Sequence, residues 1–401
     1  MNDPKKRIVI VGGGFGGVYV ARKLASRARR GEISLTIVSK TNHFVFTPLL
    51  HEVATGGLSP ASVTEPLRAI FPPNVAQIVE GTARLIDLSS RKVFVGDKEI
   101  SFDRIVVATG SAPNYYGVPG AREFGLTLGS VGDALRIRDR VISAFGEAEG
   151  KGSVRIVVVG GGATGIELAA EIHEFSNQLS AEYYSGVNAE LTVLSSSSDI
   201  LPRFSPATRR IAAERLAKKG MRIVCDAAVS SIVPGKVLCS DGSEYVADIV
   251  VWAAGTEPSV PEIVGGTVSY EKGRILVDEY LRCAGTENAF ALGDAAGAFP
   301  MLAQVAVRES EIAAKNIIAS LEGAPLHPFS FRPKGMLLSL GKWYAAGEVY
   351  SIGVRGYFAW WLWRTVYLFK FSSWKKRLRI VFEWSLHAFS PRDITRTTDS
   401  S

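Results

Sequence analysis

Arg7-Ile-Val-Ile-Val-Gly-Gly-Gly-Phe-Gly-Gly17 is the stretch that decides the fold. Ile8 to Val11 is a short, continuous β-branched run, the pattern of a strand buried on both faces of a parallel sheet. It runs directly into Gly12-x-Gly14-x-x-Gly17, with Phe15 and Gly16 inside the loop, and Val18, Ala21, Leu24 and Ala25 then follow a helical period. One glycine permits the tight turn, one lets a pyrophosphate approach the backbone, and one lets the helix pack on the strand. The free N–H groups and positive dipole end of that helix then face phosphate. A plain tight turn is the alternative reading. It does not call for the second strand, Leu35 to Val38, that arrives about 20 residues on, where a dinucleotide fingerprint needs one.

The same phrase recurs. Arg155-Ile-Val-Val-Val-Gly-Gly-Gly-Ala-Thr-Gly-Ile-Glu167 restates the first loop almost residue for residue, with Gly160, Gly162 and Gly165 as its glycines and Thr164 inside it. The expected architecture is therefore α/β, with two doubly wound, Rossmann-like dinucleotide-binding domains. We expect residues 1–115 and 256–330 to form a discontinuous first domain, 116–255 the second, and 331–401 a C-terminal amphipathic helical region. Two dinucleotides in one chain suggest a flavin and a nicotinamide, because hydride passes between those rings.

Both second strands end without the carboxylate that commonly holds a ribose. The first ends on Ser39 and Lys40, the second on Ser195 to Ser198 with Arg203 soon after. A carboxylate would favour NADH and repel the 2′-phosphate of NADPH, whereas serines do neither. NADPH is therefore expected to be tolerated beside NADH; the competing reading is a Ser-rich loop that carries no selectivity. Further along, Ala83 opens a strand, and Arg104 to Gly110 is a buried strand ending on Ala108-Thr109-Gly110. Val250-Val-Trp-Ala-Ala-Gly255 closes the second unit, and a later strand ends in Gly293-Asp294, whose acid suits a ribityl hydroxyl. Gln304 and Val305 open the helix that follows.

The 401 residues are 47% hydrophobic and 21% charged, a balance for chains that fold around real cores. Cys225, Cys239 and Cys283 form neither a Cys-x-x-Cys pair nor a metal spacing, and no metal is expected. Lys5-Lys6-Arg7 imitates the start of a signal peptide, but only four apolar residues follow before the glycines, so a cytoplasmic protein is expected. The net charge of +7 resides in the tail: between Arg355 and Arg396 nine cations face only Glu383 and Asp393. Tyr357-Phe-Ala-Trp-Trp-Leu-Trp-Arg364 is too short and too interrupted to span a bilayer, which takes about 20 apolar residues. Next, Leu378, Val381, Phe382, Leu386 and Phe389 share one side of a helix whose start is crowded by Lys375, Lys376, Arg377 and Arg379. Trp and Tyr beside clustered cations suit an interfacial helix on anionic lipid, rather than nucleic acid. A homodimer interface or a cap on the sheet is the competing use of the same aromatics.

Taken together these pieces resemble the type II NADH:quinone oxidoreductases, single-subunit flavoenzymes of the two-dinucleotide-domain class. The resemblance covers essentially the whole length. It rests on Gly12-Gly-Gly-Phe-Gly-Gly17, Thr47-Pro48-Leu-Leu-His-Glu-Val-Ala-Thr-Gly-Gly57, Gly160 to Glu167, Gly293-Asp294, Ala303-Gln304-Val-Ala306 and the Trp-rich tail ending Phe389-Ser-Pro-Arg-Asp393. It implies FAD in the first unit, NADH (or NADPH) in the second, a quinone acceptor, no proton pumping, and peripheral attachment to the cytoplasmic side of the membrane. By matching, Gln304 and Glu167 lie near flavin and quinone and carry the catalytic expectation. Many members have a second Gln four residues after the first, where this chain has Arg308; an arginine there could hold a quinone carbonyl. The rivals are a sulfide:quinone or other pyridine-nucleotide flavoprotein reductase, which needs a redox cysteine pair at the flavin or lacks a reason for the tail, and a membrane-docking NAD(P)H sensor without turnover.

Overall fold

The computed structural model describes residues 5–396 except Lys151, Ala298, Lys334, Ser351 and Ser372; the side chains of Ala388 and Phe389 also lie outside the described set. The first fingerprint is strand β1 (Lys6–Val11) followed by helix α1 (Phe15–Arg29) and strand β2 (Ile33–Ser39). Strands β3 (Gln77–Glu80) and β4 (Arg104–Val107) follow. Helix α2 (Val131–Glu147) leads into the second fingerprint, β5 (Ser153–Val159), α3 (Ala163–Glu182) and β6 (Asn188–Leu194), then β7 (Arg222–Val224) and β8 (Ile249–Trp252). Strand β9 (Ala289–Ala291) and helix α4 (Ala303–Glu322) come next. Last are the strands β10 (Gly335–Ser339), β11 (Ala345–Val349) and β12 (Ile352–Arg355), with helices α5 (Gly356–Leu368) and α6 (Trp374–Phe389).

The chain divides into two compact units, residues 5–46, 64–112 and 256–332 in one, and 47–63, 113–255 and 333–396 in the other. The first is built on a parallel sheet in the order β9-β4-β1-β2-β3. Its order reverses between β1 and β4, and in open α/β sheets the ligand crevice lies at the carboxyl ends of the strands at such a point. Helix α1 packs along α4, with Lys23 and Glu311 paired at 3.2 Å across them. The second unit repeats the plan, with the two-residue strand Gly125–Leu126 followed by β8-β5-β6-β7, again all parallel.

The duplication extends to single hydrogen bonds. Gly12 N–H donates to Val38 O and Gly160 N–H to Leu194 O, both at 2.8 Å. Ala108 N–H reaches Val11 O at 2.8 Å, and Ala253 N–H reaches Val159 O at 2.7 Å. At the opposite strand ends the Arg7 side chain grips Asp103 at 3.1 Å, as Arg155 grips Asp248 at 2.9 Å.

The tail is part of the second unit rather than an appendage. The strands β10-β11-β12 form an antiparallel sheet against which α5 packs, and Ala359, Trp360, Trp363, Phe371 and Ile380 are buried. Arg364, which in sequence only interrupts an apolar run, sits with its guanidinium between the rings of Trp360 (4.0 Å) and Trp384 (4.3 Å).

A Cβ on Gly17 would lie 1.8 Å from the Gly12 carbonyl oxygen, whereas one on Gly14 meets nothing within 4 Å. We therefore expect Gly17→Ala to cost about 1–3 kcal/mol or more through overpacking and to cost the flavin as well. Gly14→Ala should leave the thermal midpoint nearly unchanged while weakening flavin retention; melting curves and the flavin-to-protein absorbance ratio read both.

Candidate functional site

Each fingerprint presents the same cradle. Gly12 and Gly160 both adopt φ +126°, a conformation that L side chains rarely adopt. Gly14 and Gly162 cap α1 and α3 with no side-chain hydrogen bond, which leaves the first helical amides free for an anion. Gly17 and Gly165 sit against the carbonyls of Gly12 and Gly160, so helix and strand touch backbone to backbone. Gly16 packs on Leu292 and Ala108, and Phe15 is wedged between Phe44 (5.1 Å) and Phe46 (5.5 Å). These glycine surfaces fit the pyrophosphate of a dinucleotide in both units.

The strand-end serines are turned inward. Ser39 and Ser195 are buried, and a Cβ on Gly13 or Gly161 would strike their hydroxyls at 2.3 and 2.7 Å. Each accepts from an amide two residues on, Thr41 N–H and Ser197 N–H, both at 3.3 Å. Lys40 stays exposed beside the first loop, and the second folds back through Leu201 N–H to Gly161 O at 2.7 Å.

Elsewhere in the first unit, Thr109 Oγ1 is buried without a hydrogen-bond partner among the described residues, the type of orphan group that a bound ligand satisfies. Gly110 adopts φ +72° with open space beyond it. Asp294 accepts from Ser111 Oγ at 2.6 Å, and Gly293 N–H donates to the buried Glu309 at 2.6 Å. Burial pushes the Glu309 carboxyl up to about 7, against the pull of Gly293 N–H and Arg274. Glu309 carries no motif and is missed by sequence reasoning; its one signal is its place five residues beyond Gln304. Gln304 is half-buried at the start of α4, with Val305 buried next to it. Arg308 is exposed and paired with Glu311 at 3.4 Å on its own helix. Ala83 lies in the hydrophobic core of this unit.

In the second unit Thr164 and Gly162 are exposed at the start of α3. Gly255, at φ +147°, leaves room for Tyr116, whose hydroxyl would meet a Cβ at 2.5 Å. Thr47 and Pro48 open a 3₁₀ turn, Thr47–Leu49, that leads into the short helix Leu50–Val53.

Around that helix lies a set of buried charges that the sequence does not announce. Glu167 is half-buried and accepts from Ser339 N–H at 2.9 Å; burial raises its carboxyl above the usual range, opposed by the His51 ring. Glu171, one turn further along α3, is buried too, yet Arg392 at 2.9 Å and His51 outweigh the burial and hold it below the usual value. Glu52 accepts from Trp384 Nε1–H at 2.6 Å and faces Arg364 at 3.8 Å; burial dominates and its carboxyl is raised. Arg392 also donates to Thr55 O at 3.3 Å, so the chain end is tied to the 50–57 segment. Removing one member of such a pair strands a buried charge, at a cost of about 3–5 kcal/mol.

Against known proteins, the family model described as pyridine nucleotide-disulphide oxidoreductase matches residues 6–310, and the one described as NDH2 C-terminal domain matches 334–393. The type II NADH:quinone oxidoreductase Ndh of Mycobacterium tuberculosis is 28% identical over 97% of this chain and 89% of its own. The demethylphylloquinone reductase NdbB of Synechocystis is 28% identical, with 96% of each chain covered. Among solved structures, NDH2 from Plasmodium falciparum in complex with NADH superposes with a TM-score of 0.86 at 18% identity, covering 98% of this chain and all of that one.

Glu309 gives the first unit a pH signature. Its folded value of about 7 lies above the ordinary 4.5, so the folded state retains a proton that the unfolded chain has released. The resulting stabilisation is complete below the unfolded value and disappears as pH rises through 7. Glu309→Gln, which still accepts from Gly293, should flatten the pH dependence of urea unfolding in this window; an unchanged slope counts against the assignment.

Proposed function

The chain belongs to the pyridine nucleotide-disulphide oxidoreductase family and carries an NDH2 C-terminal domain, and on that footing we propose a membrane-associated flavoenzyme that oxidises NADH with a quinone, through FAD and without pumping protons. The observation that carries this reading is one chain building the same phosphate cradle twice, down to matched hydrogen bonds, and joining it to that C-terminal domain. Gly12, Gly14 and Gly17 would hold the FAD pyrophosphate, with Thr109 and Asp294 for its hydroxyls and carbonyls; Gly160, Gly162 and Gly165 would hold the nicotinamide dinucleotide. Bound FAD supplies the chemistry that takes up hydride and gives up an electron pair. We assign Gln304 to the flavin edge and Glu167 to proton supply for the quinone.

NADPH should serve beside NADH, because Ser195 to Ser198 offer no carboxylate to repel a 2′-phosphate. A redox cysteine mechanism finds no support. Cys239 and Cys283 are buried, and burial pushes the Cys283 thiol up to about 12.

We place the enzyme peripherally, on the cytoplasmic face. No helix among the described residues is long and apolar enough to cross a membrane. Helices α5 and α6, with Phe369 between them, expose Phe358, Trp361, Leu378 and Phe382, and Lys370, Lys375 and Arg379 are exposed along the same stretch. Aromatics and cations together suit an anionic lipid surface, and a homodimer contact is the second use of the same face.

Purified protein should carry a flavin spectrum that NADH bleaches and a menaquinone or ubiquinone analogue restores. A colourless protein that cannot be reconstituted with flavin overturns the assignment, and a preference for NADH over NADPH of about two orders of magnitude overturns the coenzyme reading.

Deleting the tail would strip Trp363 and Arg392 from the second unit, so point variants test the membrane better. Phe358→Ser, Trp361→Ser and Phe382→Ser should keep the flavin yet each lose up to about 2 kcal/mol of affinity for anionic vesicles, read by co-sedimentation. Unchanged sedimentation of the triple variant refutes docking through this face.

A further inference from the structure

The internal duplication fixes which residues of the two units correspond. Ala108 N–H donates to the last residue of β1 at 2.8 Å, and Ala253 N–H to the last residue of β5 at 2.7 Å. A Cβ on Gly12 would strike Ala108 O at 2.0 Å, and one on Gly160 would strike Ala253 O at 2.2 Å. Thr109-Gly110 and Ala254-Gly255 are therefore counterparts, the steps that each unit takes just beside its own cradle. Both glycines have positive φ, +72° and +147°. At Gly110 a Cβ would meet nothing within 4 Å among the described residues, whereas at Gly255 it would meet the Tyr116 hydroxyl at 2.5 Å. One unit leaves this place open, and the other sets a phenol on it.

Packing does not account for that phenol. Tyr116 is 62% exposed and has φ +51°, a left-handed conformation that is an outlier for a bulky side chain. Its neighbour Tyr115 does the packing, stacked on Trp252 at 6.1 Å with the Arg122 guanidinium 4.6 Å from its ring centre. Asn114 holds Tyr116 in place. Its Oδ1 accepts from Tyr116 N–H at 2.8 Å, and its own N–H donates to Gly255 O at 3.1 Å. Its carbonyl oxygen accepts from Trp252 Nε1–H at 2.8 Å. A strained residue that its surroundings over-determine, presenting an exposed aromatic, belongs with ligand contacts rather than with the core.

Strand order says which part of a dinucleotide would meet it. Pyrophosphate belongs on the free amides of α3, and the adenosine ribose at the end of β6, where Ser195 stands. Strand β8 lies on the other side of β5 from β6, so its end is left for the nicotinamide half. We propose that Tyr116 is a coenzyme-binding residue that holds the nicotinamide–ribose half of NADH beside Gly255, an inference that rests on the assignment of the second cradle above. Its ring offers a flat apolar face, and its hydroxyl a donor and an acceptor for ribose hydroxyls. Tyr116 makes and breaks no bond; it orients the half of the coenzyme that carries the hydride.

The test uses the full-length, flavin-loaded enzyme and reads binding beside turnover. Tyr116→Gly removes the ring and accepts φ +51° at ease, so its thermal midpoint should not fall. Its dissociation constant for NAD+, by titration calorimetry, should rise about tenfold, while that for ADP, which lacks the nicotinamide and its ribose, should stay within about twofold. Tyr116→Phe keeps the ring and should weaken NAD+ by only about threefold. In stopped flow, bleaching of Tyr116→Gly at sub-saturating NADH should slow about tenfold, and re-oxidation by a soluble quinone should keep the wild-type rate. An equal loss of NAD+ and ADP, or a lowered midpoint with NAD+ affinity intact, would make Tyr116 a structural residue and overturn the proposal. If wild-type protein binds neither NAD+ nor ADP, the assignment of the second cradle has failed and this inference with it. If it binds both and Tyr116→Gly binds them as tightly, only the inference has failed.

Discussion

Backbone-to-backbone contact between the start of a helix and the end of a strand is the constraint on which this structure depends. At Gly17 on Gly12, and again at Gly165 on Gly160, no side chain fits between the two elements. That closeness brings the first amides of α1 and α3 to the carboxyl edge of a parallel sheet, where their dipoles add and no capping side chain competes for them. The anion-accepting geometry of both loops follows from an absence of Cβ atoms at four positions. The inward-turned serines obey the same geometry: Ser39 and Ser195 lie against Gly13 and Gly161, where they brace the loops.

The second unit is held by a different kind of force. Buried ion pairs are weak evidence for stability, since desolvation offsets most of their attraction. They are strong determinants of which arrangement is allowed, because a misplaced partner leaves a bare charge. Arg364 and Arg392 come from the tail, while Glu52 and Glu171 belong to the body of the unit. The tail is therefore in register with the 50–57 segment and with α3, and these are the elements that carry Glu167 and His51. Ser59 and Ser62 extend the tie by donating to Glu383 of α6 at 2.8 and 2.9 Å.

The tail also divides its aromatics between two tasks. Trp360 and Trp363 face inward, where Trp360 stacks on Arg364, and Phe358 and Trp361 face outward. Composition cannot separate these roles, since all four residues belong to one run of seven. Helical geometry does, by turning consecutive residues to different faces.

Most of the fold was legible in the sequence because its determinants are local. A β-branched run, a spaced set of glycines and a following apolar period each act within a dozen residues, and their repetition leaves little freedom in topology. The phosphate cradles, the Gly293-Asp294 turn and the amphipathic tail were readable for that reason. Tertiary structure alone decided that Arg364 and Arg392 are largely buried partners of Glu52 and Glu171 rather than surface cations, and that Glu309 sits beneath Gly293. It alone brought His51, Glu52, Glu167 and Glu171 into one cluster. Those outcomes depend on the dielectric around each charge and, for Arg364 and Arg392, on partners more than a hundred residues away, and no short stretch of sequence encodes either.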